Sequence, residues 1–139
     1  MRTVMCFGTF DLLHEGHRQY LHEGRALGDR LIVVVARDST VVQVKGHNPA
    51  QGERERLMHI AAVPGVDTAV LGNPDDKVQV ILEHRPDVLC LGYDQQAFTE
   101  QLAEQLAKRG LHVEVVRASP FQPEKFKTSK IRTKGSNSP

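Results

Sequence analysis

The sequence predicts an α/β fold, a single domain built on one doubly wound sheet of five parallel strands. Three observations carry that expectation. Short β-prone runs alternate with stretches of helical period along the chain. Two of the runs, near 3–7 and 31–36, are continuously apolar, as strands buried on both faces are. The polar segments that follow strands would gather at one edge of a parallel sheet, where such folds bind ligands.

Taken in order, Thr3-Val4-Met5-Cys6-Phe7 reads as the first strand. A tight loop and a helix follow, with Tyr20, Leu21, Gly24 and Leu27 on one face and Gly28 at its end. Leu31 to Ala36 is the second strand, which completes a right-handed βαβ unit. The segment from Arg37 to Gly52 is polar and too long for a simple turn, and reads as either functional or mobile. A helix opens at Glu53 and carries Leu57, Ile60 and Ala61 inward until Pro64-Gly65 stops it. Val66 to Leu71 is a third strand, and Asp75-Asp76 starts a helix that Pro86 ends. Val88 to Leu91 is the fourth strand, Thr99 to Arg109 a helix, and His112 to Val116 the fifth strand. The domain is expected over 1–132, with Thr133 to Pro139 as a disordered polar tail.

Composition narrows the function classes. The formal net charge of +1 gives no electrostatic reason for a nucleic-acid or membrane partner. No apolar run approaches the roughly 20 residues that span a bilayer, and the N-terminus runs straight into a strand rather than a signal peptide. Cys6 and Cys90 lie inside apolar runs and read as buried thiols of a cytoplasmic protein.

The chemistry concentrates in Gly8-Thr9-Phe10-Asp11-Leu12-Leu13-His14-Glu15-Gly16-His17. Strand, loop and helix start make an anion site, because loop N–H groups and the positive end of the helix face the same point. His14 and His17, three residues apart, would share one side of the first turn and offer ring N–H donors to phosphate oxygens, more strongly if protonated. Gly16 lets a phosphate approach the backbone. A metal site needs more ligands than this pair supplies, so no protein-held metal is expected. Asp11 could hold the loop through an Asx-type hydrogen bond.

Gly8-Thr9-Phe10-Asp11 followed by His14-x-Gly16-His17 resembles the signature of the HxGH-type nucleotidyltransferases, a Rossmann-like superfamily that includes glycerol-3-phosphate cytidylyltransferase, phosphopantetheine adenylyltransferase and archaeal FAD synthase. Val35-Ala36-Arg37-Asp38, Lys45-Gly46 with Pro49, and Leu91-Gly92-Tyr93-Asp94-Gln95 are more similar to archaeal-type FAD synthases than to cytidylyltransferases. The resemblance implies transfer of a nucleoside monophosphate from a nucleoside triphosphate to the phosphate of a small acceptor. ATP and FMN are implied first, and CTP with glycerol 3-phosphate is the alternative. It also implies Mg²⁺ accompanying the triphosphate, and a homodimer.

Residue by residue, the resemblance implies catalytic roles for His14, His17, Lys45 and Arg56, with Arg56 facing the triphosphate. Thr9, Phe10, His14, Glu15, Gly16, His17, Asp94, Thr128 and Ser129 would contact the nucleotide. Lys45, Tyr93 and Phe121 would meet the acceptor, the two aromatics as walls for a flavin ring. Lys127-Thr128-Ser129-Lys130-Ile131 resembles the second family signature, but the arginine usual just before it is displaced and the last helix is short. Two rival classes share the fold. A non-catalytic nucleotide-binding module would need the loop but not both histidines, and a nicotinamide oxidoreductase would need a Gly-x-Gly-x-x-Gly loop that the chain lacks.

Overall fold

A computed structural model describes residues 1–73, 77–92 and 96–119, with the backbone alone at 77 and 96–100. The elements run β1 (Thr3–Gly8), α1 (Glu15–Ala26), β2 (Arg30–Val35), α2 (Asp38–Lys45), α3 (Glu53–Ala61), β3 (Thr68–Leu71), α4 (Lys77–His84), β4 (Val88–Leu91), α5 (Gln96–Lys108) and β5 (Glu114–Arg117). The sheet has the order β3-β2-β1-β4-β5, and every pair is parallel. The expected disordered tail, 133–139, lies outside the described residues, as does the Asp75-Asp76 helix start.

The apolar runs become central strands for the reason their composition suggests. Successive side chains of a strand point to opposite faces, so a strand covered on both sides must be apolar throughout. Met5, Phe7, Ile32, Val34, Leu89 and Leu91 pack on one face with Val78 and Ile81 of α4 and Leu102 and Leu106 of α5. Val4, Cys6, Leu31, Val33, Val35, Val88 and Cys90 pack on the other with Leu21 of α1 and Ile60 of α3. Cys6 and Cys90 are buried free thiols in register on neighbouring strands.

The segment 37–52 is not one long loop. It folds as α2 and a shorter connection, 46–52. The cap of α2 comes from a distant residue, the Glu53 carboxylate, which accepts the Asp38 N–H at 2.8 Å. Gly46, at φ 81, closes the helix in the left-handed region, and its N–H donates to the Val42 carbonyl. The β-branched Val41, Val42 and Val44 argue against a helix locally. Burial of Val41 against the body of the protein outweighs them.

The strand order sets the site. From β1 the chain winds outward through β2 and β3, then returns to place β4 on the other side of β1. The switch point lies between β1 and β4, whose last register pair is Cys6 with Cys90. There the Tyr20 hydroxyl of α1 accepts the Phe7 N–H at 3.0 Å and donates to the Cys90 carbonyl.

Candidate active site

The segment leaving β1 is bent by two non-glycine residues in the left-handed region, Phe10 at φ 56 and Leu12 at φ 54. Such conformations cost on the order of 1–3 kcal/mol each and persist only where the surroundings enforce them. Here the enforcement is long-range. The Asp11 carboxylate accepts the N–H groups of Ala50 and Gln51 at 2.8 and 2.9 Å. Gln51 Oε1 in turn accepts the Leu12 N–H at 3.1 Å. Asp11 therefore ties the loop after β1 to the connection before α3, rather than closing a local Asx turn. Burial alone would raise the Asp11 pKa. The two N–H groups, with Arg56 and Lys45 nearby, outweigh it and hold the carboxyl below its ordinary range.

Phe10 is buried, its ring folded over Gly8 so closely that a Cβ there would lie 2.8 Å from it. The same ring meets His17 edge-on at 5.5 Å and stacks on Tyr20 at 6.3 Å. It forms an apolar floor under the histidines.

His14 is the N-cap of α1, not a member of its first turn. Its Nδ1 accepts the Gly16 N–H at 3.0 Å, while Nδ1 of His17 accepts the His14 N–H at 3.2 Å. The arrangement is a capping box built from two imidazoles. The rings stack with centroids 3.8 Å apart. Because each Nδ1 is an acceptor, the proton of each neutral ring sits on Nε2, the nitrogen left to meet a ligand. Burial, then the charges of His14, Lys45 and Arg18, push His17 down to about 4, with Asp11 opposing them. At neutral pH His17 is an uncharged donor, not the protonated one that would bind phosphate more strongly.

Lys45 is the last residue of α2 and is exposed, close enough to depress the pKa of both His17 and Asp11. Glu15 stands exposed in the first turn of α1, where its charge suits the helix's positive end, and pairs with Arg18 at 3.8 Å. Arg56, expected to face the triphosphate, is fully buried, and its hydrogen bonds go to backbone carbonyls and to Asp38. Its Nε donates to the Gln51 carbonyl at 2.9 Å, its Nη1 to the carbonyls of Thr9 and Ala36 at 2.8 Å each, and its Nη2 to the Asp38 carboxylate at 2.7 Å. Arg54, by contrast, is exposed.

Tyr93, Asp94, Phe121, Thr128 and Ser129 lie outside the described residues. Among the described residues no group of three His, Cys, Asp or Glu side chains could hold a metal ion, and no helix is long and apolar enough to cross a membrane. Sequence reasoning missed Gln51 and the site-facing role of Tyr20. The one signal for Tyr20 was its spacing, one turn after His17 on the face turned to the sheet.

A cytidylyltransferase-like family model matches residues 5–134. The chain is 46% identical over 121 residues to an FAD synthase of Aciduliprofundum boonei, covering 87% of this chain and 80% of that protein. It is 41% identical over 134 residues to an FAD synthase of Thermoplasma volcanium, covering 96% and 94% respectively. Among solved structures, a lipopolysaccharide core biosynthesis protein from Thermoplasma volcanium superposes with a TM-score of 0.83 at 43% identity, covering 88% of this chain and 99% of that one.

Proposed function

The chain belongs to the cytidylyltransferase-like family, and from that premise we propose that it is an FMN adenylyltransferase. It moves AMP from ATP to the phosphate of FMN, giving FAD and pyrophosphate. The names of its relatives support the choice of acceptor and donor. The observation that carries the chemistry is the stacked His14–His17 pair, with both Nδ1 atoms tied to backbone and both Nε2–H groups left for a ligand.

A phosphate oxygen of FMN attacks the α-phosphorus of ATP. The new P–O bond forms as the bond from the α-phosphorus to the bridging oxygen breaks, and pyrophosphate carries the charge away. No covalent nucleotidyl-enzyme is needed, since positioning and charge stabilisation suffice for such transfers. The Nε2–H groups of His14 and His17 donate to oxygens around the α- and β-phosphates, where charge develops. An uncharged His17 loses no proton to the leaving group and stays a donor throughout. The N–H groups at Thr9, Phe10 and the start of α1 complete the anion site, and Lys45 meets the phosphate of the acceptor. Asp94, Thr128 and Ser129 belong to the nucleotide's side of this reading, and Tyr93 and Phe121 to the flavin's.

ATP enters as its Mg²⁺ complex. The described donor set fits that arrangement, because both oxygens of the Asp11 carboxylate accept backbone N–H groups and the described residues offer no group of three His, Cys, Asp or Glu side chains to hold an ion of their own. Oxygens of the triphosphate and water would supply the metal's ligands, and the ion would offset charge on the phosphates. A homodimer working in the cytoplasm belongs to the same reading. The test is chromatography after incubation with ATP, FMN and Mg²⁺, in which FAD and pyrophosphate should appear in equal amounts. Formation of CDP-glycerol from CTP and glycerol 3-phosphate, with no FAD, would overturn the assignment.

A further inference from the structure

We infer that Arg56 is a positioning residue: its buried guanidinium sets the Thr9–Phe10 peptide so that the Phe10 N–H faces the oligophosphate of the bound nucleotide. The inference rests on the phosphate-binding part of the proposed function and assigns that part's geometry to a residue that touches no ligand.

The argument starts where the β1–β2 ladder runs out. The last register pair is Gly8 with Val35, and one more bond follows, from the Ala36 N–H to the Gly8 carbonyl at 2.9 Å. Past that point the carbonyls of Thr9 and Ala36 both turn inward. They converge on Nη1 of Arg56, which gives one N–H to each at 2.8 Å. Buried carbonyls need donors. No single backbone N–H could serve both, and a planar fork with two hydrogens on one nitrogen can. The same fork takes the Gln51 carbonyl through Nε and the Asp38 carboxylate through Nη2. Four of its five donors are therefore spent on three chain segments, and Asp38 balances the buried charge.

A peptide bond in the trans form carries its C=O and N–H on opposite sides, and the chain has no cis peptide. A Thr9 carbonyl turned toward Arg56 therefore directs the Phe10 N–H away from Arg56. That N–H has no partner among the described residues. Phe10 pays for this orientation in strain, at φ 56, and its buried ring anchors the peptide from the other side. A strained peptide gripped by its carbonyl, with its N–H unpaired among the described residues and its own side-chain ring against His17, is a preorganised anion donor. Lysine could not replace Arg56. It keeps the charge and could still reach Asp38, but one ammonium cannot span four acceptors on three segments.

The test compares the wild type with Arg56→Lys, first checked by circular dichroism for a native fold. Affinities for ATP, inorganic tripolyphosphate and adenosine are measured by calorimetry or competition. ATP and tripolyphosphate should each bind about tenfold more weakly or worse, with adenosine unchanged, because the displaced N–H addresses phosphate alone. A uniform loss across the three probes, or no loss, would overturn the inference and leave Arg56 a purely structural residue. If Arg56→Lys fails to fold, the wild type alone decides. The Phe10 amide resonance should move downfield on adding tripolyphosphate and stay in place with adenosine, and a resonance that ignores tripolyphosphate overturns the inference. FAD formation is scored separately on the wild type. Tripolyphosphate binding with no FAD would remove FMN as acceptor and leave the clamp standing.

Discussion

Gly24→Ala should cost activity more than stability. Gly24 is a buried residue of α1, and a Cβ there would lie 2.4 Å from the Cys6 sulfur. Ordinary contact begins near 3.4 Å, so roughly 1 Å of displacement is required. Cys6 is fully buried against its register partner Cys90, so its sulfur has no solvent to swing into, and a Leu31 methyl and the Cys90 Cβ lie 3.6 and 3.9 Å from the added Cβ. Relief must come from α1 moving off the sheet. Overpacking of this kind costs about 1–3 kcal/mol, and alanine returns about 1 kcal/mol of helix propensity. Urea unfolding should therefore register a net loss of only about 0–2 kcal/mol. The same helix carries His17 and is capped by His14. A misplacement of about 1 Å at such a site costs on the order of 10²-fold in turnover, read as kcat for FAD formation. The double variant Cys6→Ala/Gly24→Ala removes the sulfur and should recover most of the lost kcat, with Cys6→Ala alone close to wild type. Normal turnover in Gly24→Ala, or a double variant no better than the single one, would refute the reasoning.

His17→Ala should lower kcat by about 10²–10³ while changing nucleotide affinity little, as loss of a preorganised donor does. Its proton NMR titration in the wild type should have its midpoint near 4. Because the folded value lies below the unfolded one, stability from neutral His17 is complete above about 6.5 and declines as pH falls toward 4. The wild type should thus lose stability faster across that window than His17→Asn. Tyr20→Phe leaves the Phe7 N–H and the Cys90 carbonyl without the bridging hydroxyl, which should cost about 1–3 kcal/mol in urea unfolding. Asp11→Ala should free the connection 46–52 and raise its protease sensitivity. With its folded pKa lowered, Asp11 contributes above the ordinary carboxylate range, so the stability gap between wild type and variant should close as pH falls through the depressed value. Lys45→Ala should raise the KM for FMN and leave that for ATP unchanged, as steady-state kinetics with each substrate varied would show.

The sequence by itself determined the parallel sheet, the position of its central strands and the imidazole-bearing loop. Those follow from local pattern. A strand covered on both faces has to be apolar residue after residue, and a short turn from a strand into a helix start exposes N–H groups wherever it occurs. Histidine spacing is equally local, so the pair at 14 and 17 was legible as a donor site from the chain alone. Tertiary structure decided what depends on partners far along the chain. Asp38 begins a helix because Glu53, fifteen residues on, caps it. Arg56 is buried where the carbonyls of Thr9 and Ala36, distant in sequence, share one donor once β1 and β2 are paired. Asp11 bonds Ala50 and Gln51 rather than its own turn. Even the charge of His17 was settled by folding. The motif names an imidazole, and burial, then the charges of His14, Lys45 and Arg18, move its protonation from the ordinary 6.5 down to about 4, so it stays neutral well into the acid range. A side chain's type is written in the sequence, but a charged or hydrogen-bonding group takes its role from the partners that folding brings within about 3 Å of it.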